Sequence, residues 1–562
     1  MLKTLRILVI SFLILLPNTI LYAEEINKPG VASAHPLATK VGYEILSQGG
    51  NAFDAAVAIS ATLSVVEPYS SGLGGGGFFL LHDSSSMEDV FVDAREKAPS
   101  NANRDMYLDN DGNVMRSASL DGPLASGIPG LPAALHHVSL DYGTMPLYKL
   151  LQPAIRLARD GFPAYERLIT ALLVAEKSRT LSPKFKEIFM PDGKPPVVGQ
   201  IVRQPELAKT LEVLASSGHT GFYDSFFTQK MVEESNQDGS IWHLDDFKSY
   251  AVTERAPINI SFLGAKLTMA PPPSSGGTTI ATILNIISQF DFMGMDSAKR
   301  AHLITESMRR AYRDRAFNLG DPDFVDVPID KLISMEHAKE LAQSINLDQA
   351  TPIHEDDDID GKFALNEGAH TSHFSVLDKN GNRAAVTQTI NTWFGSGYML
   401  PSSGMILNNE MDDFSAKPFT PNRYGLVHGE QNSIEPNKRM LSSMTPTFIE
   451  SDRGVAILGT PGGSRIITMV LLSIIDYFSG GDAQSMTASK RFHHQFLPDV
   501  IRHEKDAFTN EVKEDLQMKG HNLQEISNYG NMQVVTFDNA TNKTESSSDP
   551  RGLIEGFEID FY

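Results

Sequence analysis

The chain contains no cysteine. Disulfides, thiolate metal sites and a cysteine nucleophile are therefore outside its chemistry. Basic charge is in short supply: 48 Lys and Arg stand against 69 Asp and Glu, a formal net charge of -21. That balance argues against nucleic acid or an anionic membrane surface as the main partner. Long apolar runs are also lacking. Residues 7–16 form an apolar stretch, but it is shorter than the ~20 residues a bilayer span needs, and Pro17 and Asn18 interrupt it. No serine sits in a G-x-S-x-G elbow, no H-E-x-x-H occurs, and there is no internal repeat or low-complexity tract.

What is present begins with an export signal. Lys3 and Arg6 precede the apolar stretch, and Leu21-Tyr22-Ala23 ends in a small residue before Glu24 and Glu25. This order predicts a secretory signal over 1–23, cleaved after about Ala23. The expected destination is the periplasm or the medium, with no membrane attachment after signal removal. The remaining chain, part of 562 residues that are 41% hydrophobic, is ample for a large buried core.

Residues 52–65 (AFDAAVAISATLSV) are apolar nearly all round, which predicts a buried helix. A glycine run at 72–77 follows, then a hairpin expected from 78–82 and 89–93. Residues 147–347 read as mostly helical, with breaks such as Pro271-Pro272-Pro273-Ser274-Ser275-Gly276-Gly277. The acidic, polar stretch at about 350–370 suits an exposed, mobile linker. At Thr371 the texture changes. Residues 373–377 and 383–389 alternate and are β-rich, and Asn380-Gly381 between them is a hairpin signal. A strand at 454–458, the segment Gly459-Thr460-Pro461-Gly462-Gly463-Ser464, a buried helix over 466–478 and a closing strand at 533–537 complete the pattern. Runs of this kind predict an α+β fold, with helices layered on antiparallel sheets.

Two motifs have ordinary explanations. Gly72-Leu73-Gly74-Gly75-Gly76-Gly77 satisfies G-x-G-x-x-G, but a dinucleotide site needs a strand before it and a helix after it. Here the order is reversed, so the glycines are expected to allow a tight turn and close backbone packing. His493 and His494 are chain neighbours with no carboxylate cluster at ligand spacing, and are taken as structural. The sharper signal is Thr371-Ser372-His373-Phe374 at the head of a hairpin. Downstream lie Thr389-Ile390-Asn391-Thr392, residues 408–414 (NNEMDDF), residues 437–446 (NKRMLSSMTP) and residues 459–465 (GTPGGSR). Short polar residues and glycine at this density suit a small-molecule site.

With these segments in hand, the sequence resembles the γ-glutamyltranspeptidase family. The resemblance also runs through residues 49–56 (GGNAFDAA), Asp93-Ala94-Arg95-Glu96, the PPPSSGG segment, Arg491-Phe492-His493-His494 and Ser548-Asp549-Pro550-Arg551. It implies an αββα sandwich of the N-terminal-nucleophile hydrolase type. It also implies an inactive precursor that cuts itself before Thr371, giving a large chain, 24–370, and a small catalytic chain, 371–562. The chemistry is coherent. A threonine hydroxyl is a weak nucleophile and needs an adjacent base. A freed α-amine, with a pKa of roughly 7.7–8.0, supplies one that the peptide nitrogen cannot.

By the same resemblance, Thr389 is a second hydroxyl beside the nucleophile, and Gly462 and Gly463 form the oxyanion hole. Arg95, Ser442 and Ser443 bind the substrate α-carboxylate, while Asn391, Glu410 and Asp413 bind its α-ammonium. Residues 417–429 form a lid with Tyr424 as its shielding aromatic. The implied reaction transfers or hydrolyses the γ-glutamyl group of glutathione and similar γ-glutamyl amides, with water, amino acids or peptides as acceptors and no metal or organic cofactor. Two rivals remain at this stage. One is a relative acting on another amide, such as a cephalosporin acylase or a poly-γ-glutamate depolymerase. The other is a non-catalytic binding protein on the same fold.

Overall fold

Two six-stranded antiparallel sheets lie face to face in a computed structural model that describes residues 28–352 and 370–552. The expected export signal, most of the expected linker and the C-terminal end lie outside the described residues. The first sheet runs Gly30–Ser33, Ser372–Leu377, Arg383–Thr389, Gly76–Asp83, Glu88–Ala94, Thr253–Arg255. The second runs Lys543–Ser548, Gln533–Asp538, Gly454–Gly459, Thr447–Ser451, Ala265–Met269, Ile258–Phe262.

The sequence of the strand Gly76–Asp83 (GGFFLLHD) explains its place. Phe79 and Leu81 enter a core shared with the helices Pro36–Ser47, Ala52–Val66 and Leu131–Asp141. Phe78 and Leu80 point the other way, into a core shared with the second sheet and with the helices Gly276–Ile287, Ser297–Asn318 and Ile466–Phe478. A strand covered on both faces needs apolar residues at successive positions, not alternate ones. The result is helix, sheet, sheet, helix: the αββα arrangement. Ala52–Val66 is buried along its whole length, and Asn51 and Asp54 close its first turn with a capping box.

Both sheets combine strands from either side of Thr371. Ser372–Leu377 pairs with Gly30–Ser33, Arg383–Thr389 with Gly76–Asp83, and Thr447–Ser451 with Ala265–Met269. A cut before Thr371 would leave these ladders intact.

The structure departs from the sequence reading in two places. The helical middle contains, besides the short pair Phe162–Pro163 and Ile201–Val202, the strands Thr253–Arg255, Ile258–Phe262 and Ala265–Met269. The last two join through Leu263-Gly264, both at positive φ (47° and 82°), and leucine at such a turn gives no hairpin signal. The strand Gln533–Asp538 does not close the sheet, because Lys543–Ser548 pairs outside it. That edge strand, KTESSS, carries no apolar residue to announce it. Among the described residues no helix is long and apolar enough to cross a membrane.

Candidate active site

Thr371 precedes the first residue of its strand, and Thr389 ends the neighbouring one, so the antiparallel register sets the two hydroxyls side by side. Thr371 Oγ1 donates to Thr389 Oγ1 at 3.0 Å, and Thr389 Oγ1 accepts the Asn391 backbone N–H at 2.8 Å. The Thr389 backbone is approached from behind by the glycine run: a Cβ on Gly75 would lie 2.1 Å from the Thr389 carbonyl oxygen. Thr371 holds φ at 106°, a region that β-branched residues avoid. Such a conformation stores about 1–3 kcal/mol at the His370–Thr371 junction. On the C-terminal side of the junction, the Ser372 hydroxyl donates to buried Glu67 at 2.6 Å, which fixes the strand start.

Ten of the residues expected from the sequence line one cleft: Thr371, Thr389, Gly463, Arg95, Asn391, Glu410, Asp413, Ser442, Ser443 and Tyr424. Gly462 stands at its edge, at the N-cap of the turn Gly463–Arg465 that leads into the helix Ile466–Phe478. Its φ is 145° and that of Gly463 is 58°. Backbone N–H groups at such a helix entry are unpaired donors, suited to a developing oxyanion. A side chain at Gly463 is barred twice, by its φ and because a Cβ there would lie 2.5 Å from the Tyr424 ring.

The polar end of the cleft is a dense charge cluster. Arg95 is 1% exposed; its NH1 pairs with Glu410 at 2.6 Å, its NH2 with Asp413 at 2.7 Å, and its Nε donates to the Met440 carbonyl. Glu96 lies 3.5 Å from the same guanidinium. The expected carboxylate binder and two expected ammonium binders are thus paired with each other. Burial pushes all three acids up: Glu96 to about 7, Glu410 well above the carboxylate range, and Asp413 upward, each held back mainly by Arg95. The Asn391 amide N–H donates to the Asn409 carbonyl, so its side-chain oxygen remains as an acceptor.

Tyr424 is folded over the cleft. Its hydroxyl donates to the Asn391 carbonyl at 2.9 Å, and Asn422 Oδ1 accepts the N–H groups of Tyr424 and Leu426. Gln495 Nε2 donates to the Gly425 carbonyl at 2.9 Å. Tyr424→Phe loses the one hydrogen bond that fastens this ring, worth about 1 kcal/mol. For the reaction that the resemblance implies, the expected outcome is a roughly fivefold fall in the ratio of transfer to hydrolysis, as water reaches the site, with little change in donor kcat/KM. Product analysis with and without an acceptor peptide measures it.

Three residues here, Arg315, Glu67 and Gln495, carry no signal in the sequence. Arg315 is one of several arginines on Ser297–Asn318, and only the packing of that helix turns it into the cleft. Glu67 closes the helix Ala52–Val66 and reaches the site by packing, whereas Glu96, quoted with Arg95 above, stands against the guanidinium. Gln495 follows the histidine pair, whose members are engaged locally: His493 with Thr468 and Gln495, His494 with Asp499.

A family model described as Gamma-glutamyltranspeptidase matches residues 38–556. The chain is 42% identical over 528 residues to a glutathione hydrolase proenzyme of Escherichia coli (strain K12), covering 93% of this chain and 90% of that protein. It is 34% identical over 561 residues to a glutathione hydrolase proenzyme of Bacillus subtilis (strain 168), covering 95% and 92%. Among solved structures, a Bacillus halodurans cephalosporin acylase matches with a TM-score of 0.81 over 98% of this chain and 99% of its own, at 24% identity, a likeness of fold alone. A Helicobacter pylori gamma-glutamyltranspeptidase chain is 39% identical with a TM-score of 0.55, covering 57% of this chain and 92% of its own.

Proposed function

The chain belongs to the γ-glutamyltranspeptidase family, and from that premise we propose that it cuts itself at His370–Thr371 and then uses Thr371 to transfer or hydrolyse γ-glutamyl groups, glutathione among them. The observation that carries this reading is the Thr371–Thr389 hydroxyl pair, 3.0 Å apart, in a cleft also lined by the charged residues Arg95, Glu410 and Asp413. In the precursor, Thr371 Oγ attacks the His370 carbonyl carbon. The peptide C–N bond breaks, an ester forms, and water hydrolyses it to leave a carboxylate on His370 and a free amine on Thr371. Positive φ at Thr371 favours this step, because cleavage releases the strain.

In the mature enzyme the α-amine takes the Thr371 hydroxyl proton as Oγ attacks the donor γ-carbonyl. Gly462 and Gly463 N–H groups stabilise the oxyanion, a term worth ~3–4 kcal/mol per donor. The leaving amine departs with a proton, and a γ-glutamyl ester on Thr371 remains. Water or an amine acceptor then takes the acyl group. Arg95, Ser442 and Ser443 receive the donor α-carboxylate, while Asn391, Glu410 and Asp413 receive its ammonium. The two chains, 24–370 and 371–562, stay together through the shared sheets. The signal-like N-terminus supports a periplasmic or secreted location.

A denaturing gel and glutathione turnover test this together. Two fragments and γ-glutamyl release are expected; one full-length band with no turnover would count for a binding protein.

The charge cluster sets a pH dependence. Glu410 and Asp413 must be ionised to hold an ammonium, and burial raises their pKa values. They therefore protonate, and donor binding weakens, at a higher pH than ordinary carboxylates would as the solution is acidified. Glu410→Gln removes one negative charge from the group, which lets Glu96 and Asp413 ionise at lower pH. The acid limb of kcat/KM is expected to move to lower pH in this variant. A limb that stays in place would contradict the assignment.

A further inference from the structure

His370, on the other side of the bond that breaks, is as enclosed as Thr371: it is 1% exposed. Its ring stands edge-on to Trp393, with centroids 5.3 Å apart, and lies 6.2 Å from the Tyr424 ring. It is not among the residues that line the cleft, whereas Thr371 and Tyr424 are. The histidine thus fills a slot beside the cleft, with Thr371 and Tyr424 common to both.

An arginine stands next to each aromatic wall of this slot. Arg179 caps the helix Glu166–Ser178; its NH2 donates to the hydroxyl of Thr392, the neighbour of Trp393, and its NH1 donates to the Leu120 carbonyl at 3.1 Å and pairs with Asp121 at 3.2 Å. Arg423 directly precedes Tyr424 and is half-buried. Its backbone N–H donates to Asp412 Oδ2 at 2.9 Å, but among the described residues its guanidinium makes no hydrogen bond and no ion pair, and its Nε is buried without an acceptor. The carboxylates nearby are committed. Asp412 Oδ1 takes Arg116 at 2.9 Å and the Ser119 hydroxyl at 2.7 Å. Asp121 is acted on by both Arg179 and Arg423, and one carboxylate balances only one of them. Burial, and after it the fields of Arg179, Arg423, Arg465 and Arg167, keep the His370 imidazole uncharged. A neutral side chain therefore occupies a place where a cation is short of a counter-charge, and such a place favours an anion.

Building on the γ-glutamyl reading above, we propose that this slot is the acceptor side of the mature site, and that Arg423, supported by Arg179, binds the C-terminal carboxylate of a peptide acceptor there. Cleavage frees His370 from Thr371, so the slot can admit a new occupant. The γ-glutamyl head of the Thr371 ester lies in the cleft with the charge cluster, which leaves the His370 side for the attacking amine. A dipeptide suits this arrangement: its amine meets the ester carbonyl while its carboxylate meets the guanidinium. The amine nitrogen forms the new amide bond, the ester C–O bond breaks, and the amine's proton passes through the Thr371 α-amine to Thr371 Oγ.

The test compares glycylglycine with glycylglycinamide as acceptors from one γ-glutamyl anilide, at a pH where both amines are unprotonated. The amide lacks the negative charge. Both acceptors take the acyl group from the same ester, so the ratio of their kcat/KM values cancels any change in the donor half-reaction. The wild type should prefer the acid by about fivefold or more, the scale of a half-exposed charge contact. In Arg423→Met the preference should fall to near unity, through the acid alone. Arg423→Lys keeps the charge and should retain part of it. Maturation into two bands reports folding, and the Lys variant decides if the Met variant does not mature. Equal use of the two acceptors by the wild type, as expected if the cut His370 carboxylate stays on the arginines, would overturn the assignment. So would a preference that survives in Arg423→Met, one that vanishes in Arg423→Lys, or failure of both variants to mature. If the wild type released no anilide at all, the γ-glutamyl reading itself would fall; release with water but transfer to neither acceptor would overturn the acceptor slot alone.

Discussion

Thr371→Ala is expected to remain a single uncut chain and to lose γ-glutamyl turnover by at least about 10⁴-fold, as removal of a catalytic nucleophile does elsewhere. One atom serves both reactions. Thr371 Oγ attacks the His370 carbonyl during maturation and the donor carbonyl during turnover, and alanine offers nothing for Thr389 Oγ1 to accept at 3.0 Å. The loss is chemical and not architectural. Backbone hydrogen bonds hold the strand Ser372–Leu377 to both neighbours, so the variant should fold and melt near the wild type. Thr371→Ser keeps the hydroxyl and should still cut, more slowly, because serine relaxes the β-branched strain at φ 106°. A gel, a thermal melt and a donor assay on the three proteins separate these effects. Two bands from Thr371→Ala would assign the cut to another residue.

The second large effect is expected at Arg95. Arg95→Met leaves Glu96, Glu410 and Asp413 buried without the guanidinium that holds them ionised. Truncating one partner of a buried, hydrogen-bonded charge group at a binding site costs about 3–5 kcal/mol, which corresponds to a fall of roughly 10²–10⁴-fold in donor kcat/KM. The acids would take up protons and cease to attract an ammonium, so recognition of the donor head weakens without any change at Thr371. Arg95 makes no hydrogen bond to Thr371 or Thr389, and maturation should continue. The predicted signature is two bands with a much higher donor KM. An unchanged KM would remove Arg95 from the site.

How much of this was legible beforehand follows from where each signal lives. The buried helix expected at 52–65, the hairpin around Asn380-Gly381 and the buried helix at 466–478 are written in local pattern, and the structure has all three, the first extending to Val66. The ten residues that line the cleft could be named because the resemblance to the γ-glutamyltranspeptidase family assigns them one by one, which the polar, glycine-rich texture of their segments alone does not do. Arg315 could not, since nothing in RRAYRDRAFN separates it from its neighbours; its burial depends on how a 22-residue helix packs against a segment 40 residues earlier. The hairpin through Leu263-Gly264 was hidden because its turn lacks the usual residues. The pairing of Arg95 with Glu410 and Asp413 spans more than 300 positions, and no local pattern encodes it.

The central claim is that a peptide nitrogen becomes a base when the bond behind it breaks. The most direct measurement is a time course of freshly refolded precursor, following the amino terminus of the small fragment by mass spectrometry alongside γ-glutamyl turnover. The account predicts a fragment beginning at Thr371 that appears in step with activity. Full activity in a chain still joined across His370–Thr371 would contradict it.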